Sequence, residues 1–201
     1  MINIYLETGK KSTSEYVFIE ALLKILDIKK SLFRIECVNG KDNLPNARNT
    51  FIANTENGGK NLIIFDADSP QNGGGFAKRK NELEETLKNI GVEDDIFLFP
   101  NNRYDGDFET LISQLTQKEK HKRFFDCFED YERCLGTDYL SPNLKGKLFT
   151  YISAMPMSKT KRDRLGQGQW LFENNDYWNL DSEALEPLKI YLKDYVRIEH
   201  S

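Results

Sequence analysis

Leu62-Ile63-Ile64-Phe65-Asp66-Ala67-Asp68 is the stretch on which the reading of this chain turns. An unbroken apolar run, entered through Gly58 and Gly59 and closed by an aspartate, has the form of a strand buried on both faces. Ile2 to Leu6 reads as a second strand of this kind, and Phe33 to Val38 as a third, with Phe33, Ile35 and Cys37 alternating. Ile96 to Phe99 is a fourth, stopped by Pro100.

Helical patterns separate these strands. Tyr16 to Leu26 carries Phe18, Ile19, Leu22, Leu23, Ile25 and Leu26 at helical spacing. Asn46 to Thr55 is a weaker helix, and Lys78 to Asn89 a charged one that ends at Gly91. Strands alternating with helices imply crossover connections, a parallel sheet and helices on both faces. The expected fold is α/β: a doubly wound, four-stranded parallel sheet over residues 1–115. Residues 116–201 read as a helical extension packed on it, with helices over Lys118 to Leu135, Leu144 to Met155 and Leu185 to Tyr195. No linker-like stretch divides the two parts, so one folded unit is expected.

Composition narrows the function. Apolar residues make up 39% and charged residues 30% of the 201 positions, as in a globular protein with a well-solvated surface. No apolar run approaches the ~20 residues needed to span a bilayer, and Met1 to Lys11 lacks a signal-peptide layout. A cytoplasmic location with no membrane contact is expected. The three cysteines fit no zinc spacing; Cys127 and Cys134, seven apart on one helix face, read as small buried apolar residues. The two histidines, His121 and His200, are too few for a histidine-based metal site. A net charge of −4 argues against binding nucleic acid by overall charge, but leaves two local basic runs, Lys118 to Arg123 and Lys159 to Arg164.

In open α/β sheets, ligands lie beyond the carboxyl ends of the strands. Glu7 directly follows the first strand, and Asp66 and Asp68 close the third. Residues two apart on an extended chain project to the same side, so both aspartates are expected to face one point beside Glu7. Crowded carboxylates raise one another's pKa unless a cation neutralises them. Oxygen ligands without histidine or cysteine suit Mg²⁺ or Mn²⁺. Against this stands the ordinary role of an acid after a strand, as a helix cap or loop solvator.

These acidic motifs resemble the Toprim domain of primases, topoisomerases and the overcoming-lysogenization-defect (OLD) nucleases. Such domains carry a glutamate after the first strand and Asp-x-Asp after the third, here Glu7-Thr8-Gly9 and Asp66-Ala67-Asp68. Toprim glutamates have glycine immediately after them, and here Thr8 intervenes. The rest of the chain is similar to a small standalone Toprim-related family of bacterial proteins through Phe97 to Asn101, Asp105 to Glu109, Cys127 to Tyr131 and Tyr177 to Leu180. The resemblance implies a magnesium-dependent nuclease or phosphoryl-transfer protein acting on DNA or RNA, with a separate ATPase as an expected partner. It makes Glu7 a metal ligand or general acid/base, and Asp66 and Asp68 metal ligands. Glu109, on the same edge past the fourth strand, is a further ligand, or else a first-turn acid behind an Asp107 cap. The resemblance offers Lys145 or Lys147 as the lysine that stabilises the transition state, and Glu15 as a later acid.

Two rivals remain: a nucleotide-sugar glycosyltransferase, whose metal is also held by Asp-x-Asp, and a non-catalytic metal- or nucleotide-binding subunit of a larger complex. Gly9-Lys10-Lys11-Ser12 is not a P-loop, because Ile4 occupies the position of its first glycine. Asn72 to Gly75 reads as a flexible loop, and Trp170, Tyr177 and Trp178 as core rather than base-stacking groups.

Overall fold

The computed structural model describes residues 1–93 and 95–197; His200 lies outside them. The sheet is made of β1 (Ile2–Leu6), β2 (Phe33–Cys37), β3 (Lys60–Asp66) and β4 (Asp95–Phe99). All pairings are parallel, in the order β2-β1-β3-β4. Leu6 stands level with Cys37 on one side and Ile64 on the other, so Glu7 leaves β1 just short of the end of β3.

The connections are α1 (Ser14–Ile25), α2 (Arg48–Glu56) and α3 (Phe76–Ile90); α4 (Phe108–Gln114) follows β4. Thr13 starts α1, its hydroxyl accepting from the Tyr16 N–H. Asp107 and Thr110 start α4 with a reciprocal capping box. Gly91, at φ 72°, closes α3 in the left-handed conformation that glycine adopts freely.

The chain runs outward from β1 to β2, crosses back past β1 to β3, and runs outward again to β4. Chains therefore leave β1 and β3 in opposite directions. With right-handed crossovers this reversal puts α1 on one face and α2 and α3 on the other. The core divides accordingly. Tyr5, Ile63, Phe65 and Leu98 meet Phe51 of α2 and Leu83 and Leu87 of α3, with Tyr5 stacked on Phe51 at 4.1 Å. Ile4, Leu6, Ile64, Phe97 and Phe99 meet α1, α4 and the C-terminal segment.

That segment comprises α5 (Lys122–Leu135), α6 (Leu144–Ala154), the short α7 (Lys159–Arg162) and α8 (Glu186–Arg197). Its centre is Trp178, fully buried, whose indole N–H donates to the Trp170 carbonyl at 2.8 Å. Tyr151 donates its hydroxyl to the Tyr177 carbonyl at 2.7 Å. These aromatics are core, as expected. They share one continuous apolar cluster with the strands rather than forming a second core. A backbone contact closes the assembly. A Cβ on Gly168 would come within 2.2 Å of the Thr13 carbonyl carbon, so the C-terminal chain lies directly against the start of α1.

Three sequence expectations change. The helix expected from Lys118 starts at Lys122, because residues 117–121 are held by the turn at 174–178: His121 Nε2 meets the Asp176 carbonyl at 2.7 Å, and Lys120 pairs with Asp176. Cys127 and Cys134 are exposed rather than buried. The buried side of α5 is set by Phe124, Phe125 and Phe128, and the cysteines lie on its flank. Gly73 to Gly75 form a hydrogen-bonded turn, with the Gly75 N–H donating to the Ala67 carbonyl at 2.9 Å. Among the described residues no helix is long and apolar enough to cross a membrane.

A fragment of residues 1–115 loses the C-terminal segment packed on α1, α4 and their face of the sheet, and leaves that apolar surface uncovered. It is expected to bind a hydrophobic dye and aggregate on expression. Cooperative unfolding of a monomeric fragment would show instead that the C-terminal segment is dispensable to the core.

Candidate functional site

Opposite departures from β1 and β3 open a crevice at their carboxyl ends, the place where ligands bind in such sheets. Glu7 and Asp66 stand there. The Asp66 N–H donates to Glu7 Oε2 in a long bond of 3.4 Å, which fixes the two residues side by side. Asp66 Oδ1 accepts from the Phe108 N–H at 2.8 Å, at the first turn of α4. The partial positive charge of a helix start favours a carboxylate there.

Two more acids join them. Glu15, in the first turn of α1, and Glu109, in the first turn of α4, both act on Asp66 through their charge. Helices that begin at the carboxyl edge bring their first turns to it, which is how residues far apart in sequence converge. Lys145 Nζ, at the start of α6, meets Glu109 Oε1 at 2.7 Å. Asp107 caps α4, as the second reading of Glu109 has it, and Glu109 stands in the first turn beside the cluster.

Burial pushes the Asp66 carboxyl well above the ordinary range, and the charges of Glu15, Glu7 and Glu109 add to it; the Phe108 N–H opposes them. Glu7 is raised by burial, with the Asp68 charge adding, against the nearby Arg79 cation and the Asp66 and Lys41 N–H groups. Glu15 is pushed up to about 8, from burial first and then from the charges of Glu7 and Glu109. Its Oε1 is shut off from solvent and has no hydrogen-bond partner. Burial lowers the Lys145 pKa, but the bond to Glu109 and its charge outweigh this and leave it raised.

Asp68 departs from expectation. β3 ends at Asp66, and Asp68 sits in the left-handed region at φ 59°, so strand alternation no longer governs its direction. Its carboxylate pairs with Arg79 of α3, a nearly fully buried arginine that also meets Glu82 at 3.2 Å. Gly74 makes this turn possible: a Cβ there would come within 2.4 Å of Asp68 Cβ. Lys147 departs too. It pairs with Glu132 at 3.0 Å and lies over the Phe128 ring at 4.7 Å, tying α6 to α5. Its place is structural, whereas Lys145 is at the acidic edge.

Among the described residues, no three acidic, histidine or cysteine side chains stand close enough to hold a metal ion as placed. The trio Glu7, Asp66 and Asp68 is thus not a ready-made cage; the groups coupled at the edge are Glu7, Asp66, Glu15 and Glu109. Arg79 gave no sign in the sequence, since one arginine in a charged helix reads as solvated surface. Glu15 was legible only through the resemblance, as an acid a few positions after Glu7. A cleft of about 930 Å³ lies elsewhere, between α1 and residues 169–175, lined by Val17, Lys24, Phe33, Lys161 and Asn174, and none of these carboxylates lines it. The chain matches no family model, and no curated protein or solved structure is similar to it.

The raised carboxyls fix a pH dependence. A folded pKa above the unfolded value means that the native state holds a proton the unfolded chain releases, so stability falls as pH rises between the two. For Glu15 that window runs from about 4.5 to about 8. In chelator, the urea midpoint of Glu15→Gln should match that of the wild type near the lower limit and exceed it near the upper. A difference that does not grow with pH would contradict this electrostatic picture.

Proposed function

We propose that this chain is a Toprim-type protein whose acidic edge binds Mg²⁺ or Mn²⁺ for phosphoryl transfer or phosphodiester cleavage on nucleic acid. The observation that carries the reading is the pairing of Glu7 and Asp66, both desolvated, at the crevice between oppositely departing strands. Such a site holds more negative charge than its own hydrogen bonds offset. Of the cations at its border, Arg79 is engaged by Asp68 and Lys145 by Glu109.

The residues fit a hard cation. All the donors are carboxylate oxygens, and Glu15 Oε1 is a buried acceptor with no donor. Glu7, Asp66 and Glu15 would hold the ion; Glu109 would join if Lys145 turned to the substrate, and Asp68 if Arg79 released it. When bound, the ion would offset the crowded charge and polarise a phosphate oxygen. In place of ligating the ion, Glu7 would exchange a proton at Oε1 or Oε2 with an attacking or departing oxygen. Lys145 Nζ, mostly exposed, is placed to meet negative charge that develops on the phosphate. Asp68, turned onto Arg79, lends no support to the glycosyltransferase reading, which needs both aspartates on one ion.

The test is calorimetric titration of the full chain with MgCl₂ and MnCl₂, then incubation with plasmid, linear and single-stranded substrates. Metal uptake should raise the thermal midpoint, by an amount equivalent to about 2.7 kcal/mol at a hundredfold excess over Kd. Asp66→Asn keeps the shape and removes the charge, so it should abolish both uptake and cleavage while leaving a folded protein. If neither ion gives heat or a thermal shift, the metal reading fails.

A further inference from the structure

The acidic edge is bordered by basic side chains that lack acidic partners. Lys10 and Lys11 are exposed in the loop between β1 and α1, and neither has an ion pair or hydrogen-bond partner for its ammonium group among the described residues. This loop is tied to the edge: the Thr8 hydroxyl donates to the Thr13 hydroxyl, which donates to the Lys10 carbonyl. The Lys11 ammonium bears on Cys37, the last residue of β2.

The run Lys159 to Arg164 is not part of this border: Lys161 lines the separate cleft beside Lys24, Asp27 and Phe33. Its following residues are anchored by buried Leu165 and by the contact of Gly168 with Thr13 and Ser14, at the start of α1. Arg162 is occupied by the Ser153 and Met155 carbonyls, at the end of α6 away from Lys145. The other basic run differs, since Lys120 and Lys122 are paired with Asp176 and Asp126.

Past the carboxylates, the loop after β4 presents Arg103 and Tyr104. Tyr104 is 57% exposed, and the Arg103 guanidinium lies 5.2 Å from its ring centroid. Asn101 Oδ1 accepts from both of their N–H groups, at 3.2 and 3.0 Å, so the ring stands on a fixed turn. The strand order places Asp66 between the lysines after β1 and this ring after β4. Exposed rings flanked by arginine, beside a track of free cations, are what single-stranded nucleic acid requires: phosphates need cations and unpaired bases need a π-face. A duplex offers no free base face to Tyr104.

We infer that a single strand of nucleic acid crosses this edge, with its backbone on Lys10 and Lys11 and one base stacked on Tyr104. The path brings a phosphodiester over Glu7 and Asp66. The inference takes from the preceding reading only what happens to that phosphodiester; strand binding needs no metal.

The experiment is fluorescence anisotropy of a labelled mixed-sequence DNA strand, about the length of one or two single-strand footprints, with the full chain in chelator across a salt series. The variant Lys10→Ala/Lys11→Ala should bind at least about threefold more weakly, with a salt slope shallower by about 0.7 per cation removed. Tyr104→Ala should cost about 5- to 150-fold, the range of one base stack, with the slope unchanged; Tyr104→Phe should restore binding. Lys29→Ala/Lys60→Ala, at the opposite edge, should stay within about twofold, because phosphate contacts act locally. Thermal melts confirm that each variant is folded. The inference is overturned if wild type does not bind the strand, or if it prefers the duplex or anionic vesicles to the strand. Equal losses in the edge and control variants overturn it as well. Strand binding with silent calorimetry removes the metal reading alone, and metal uptake without strand binding removes this inference alone.

Discussion

The Phe108 N–H on Asp66 and the Asp66 N–H on Glu7 form a short chain of contacts that ties α4, β3 and β1 together at one point. It lies where the sheet reverses direction, with both strands covered on both faces by apolar side chains. A carboxylate at such a place loses most of its water. The two backbone donors compensate only in part, as the raised pKa values of both acids record. What surrounds the pair follows from that deficit. The first turns of α1 and α4 point at the edge, a buried arginine engages Asp68, and Lys145 reaches Glu109 from α6.

Acids are nonetheless added to an edge already short of solvation. Glu15 lies among like charges with one oxygen unpartnered, although a glutamine there would cost the fold nothing in charge repulsion. Polar groups buried without partners carry a penalty of about 1–3 kcal/mol, and a stable fold has no reason of its own to keep one. Sites that do chemistry are where such penalties collect. This is the physical ground on which a binding role is favoured over chance for the group as a whole.

The sheet was legible because its strands obey one simple rule. Leu62 to Phe65 can only be a doubly buried strand, and the all-parallel order follows from its neighbours. Glu7 and Asp66 were legible for the same reason, since strand ends locate the edge. Asp68 was not, because alternation stops where φ turns positive, and nothing local in Asp-Ala-Asp announces that turn. Lys145 and Lys147 look alike in sequence, yet two positions on a helix point about 200° apart. One faces Glu109 and the other Glu132. The cysteines at 127 and 134 failed differently: a seven-residue spacing proves a shared face without saying which face the core takes. Their exposure follows from Phe124, Phe125 and Phe128 claiming the interior.

The contact between Gly168 and the start of α1 bears on how the molecule is made. Thr13 and Ser14 leave the ribosome well before Gly168, so the surface against which they rest arrives only later in synthesis. Until then the start of α1, with Glu15 on it, has no fixed neighbour on that side. Contacts so distant in sequence form late and slow the search for the native state. A nascent chain therefore carries its sheet before it carries a finished acidic edge, and the edge is completed only after the segment around Gly168 has been made.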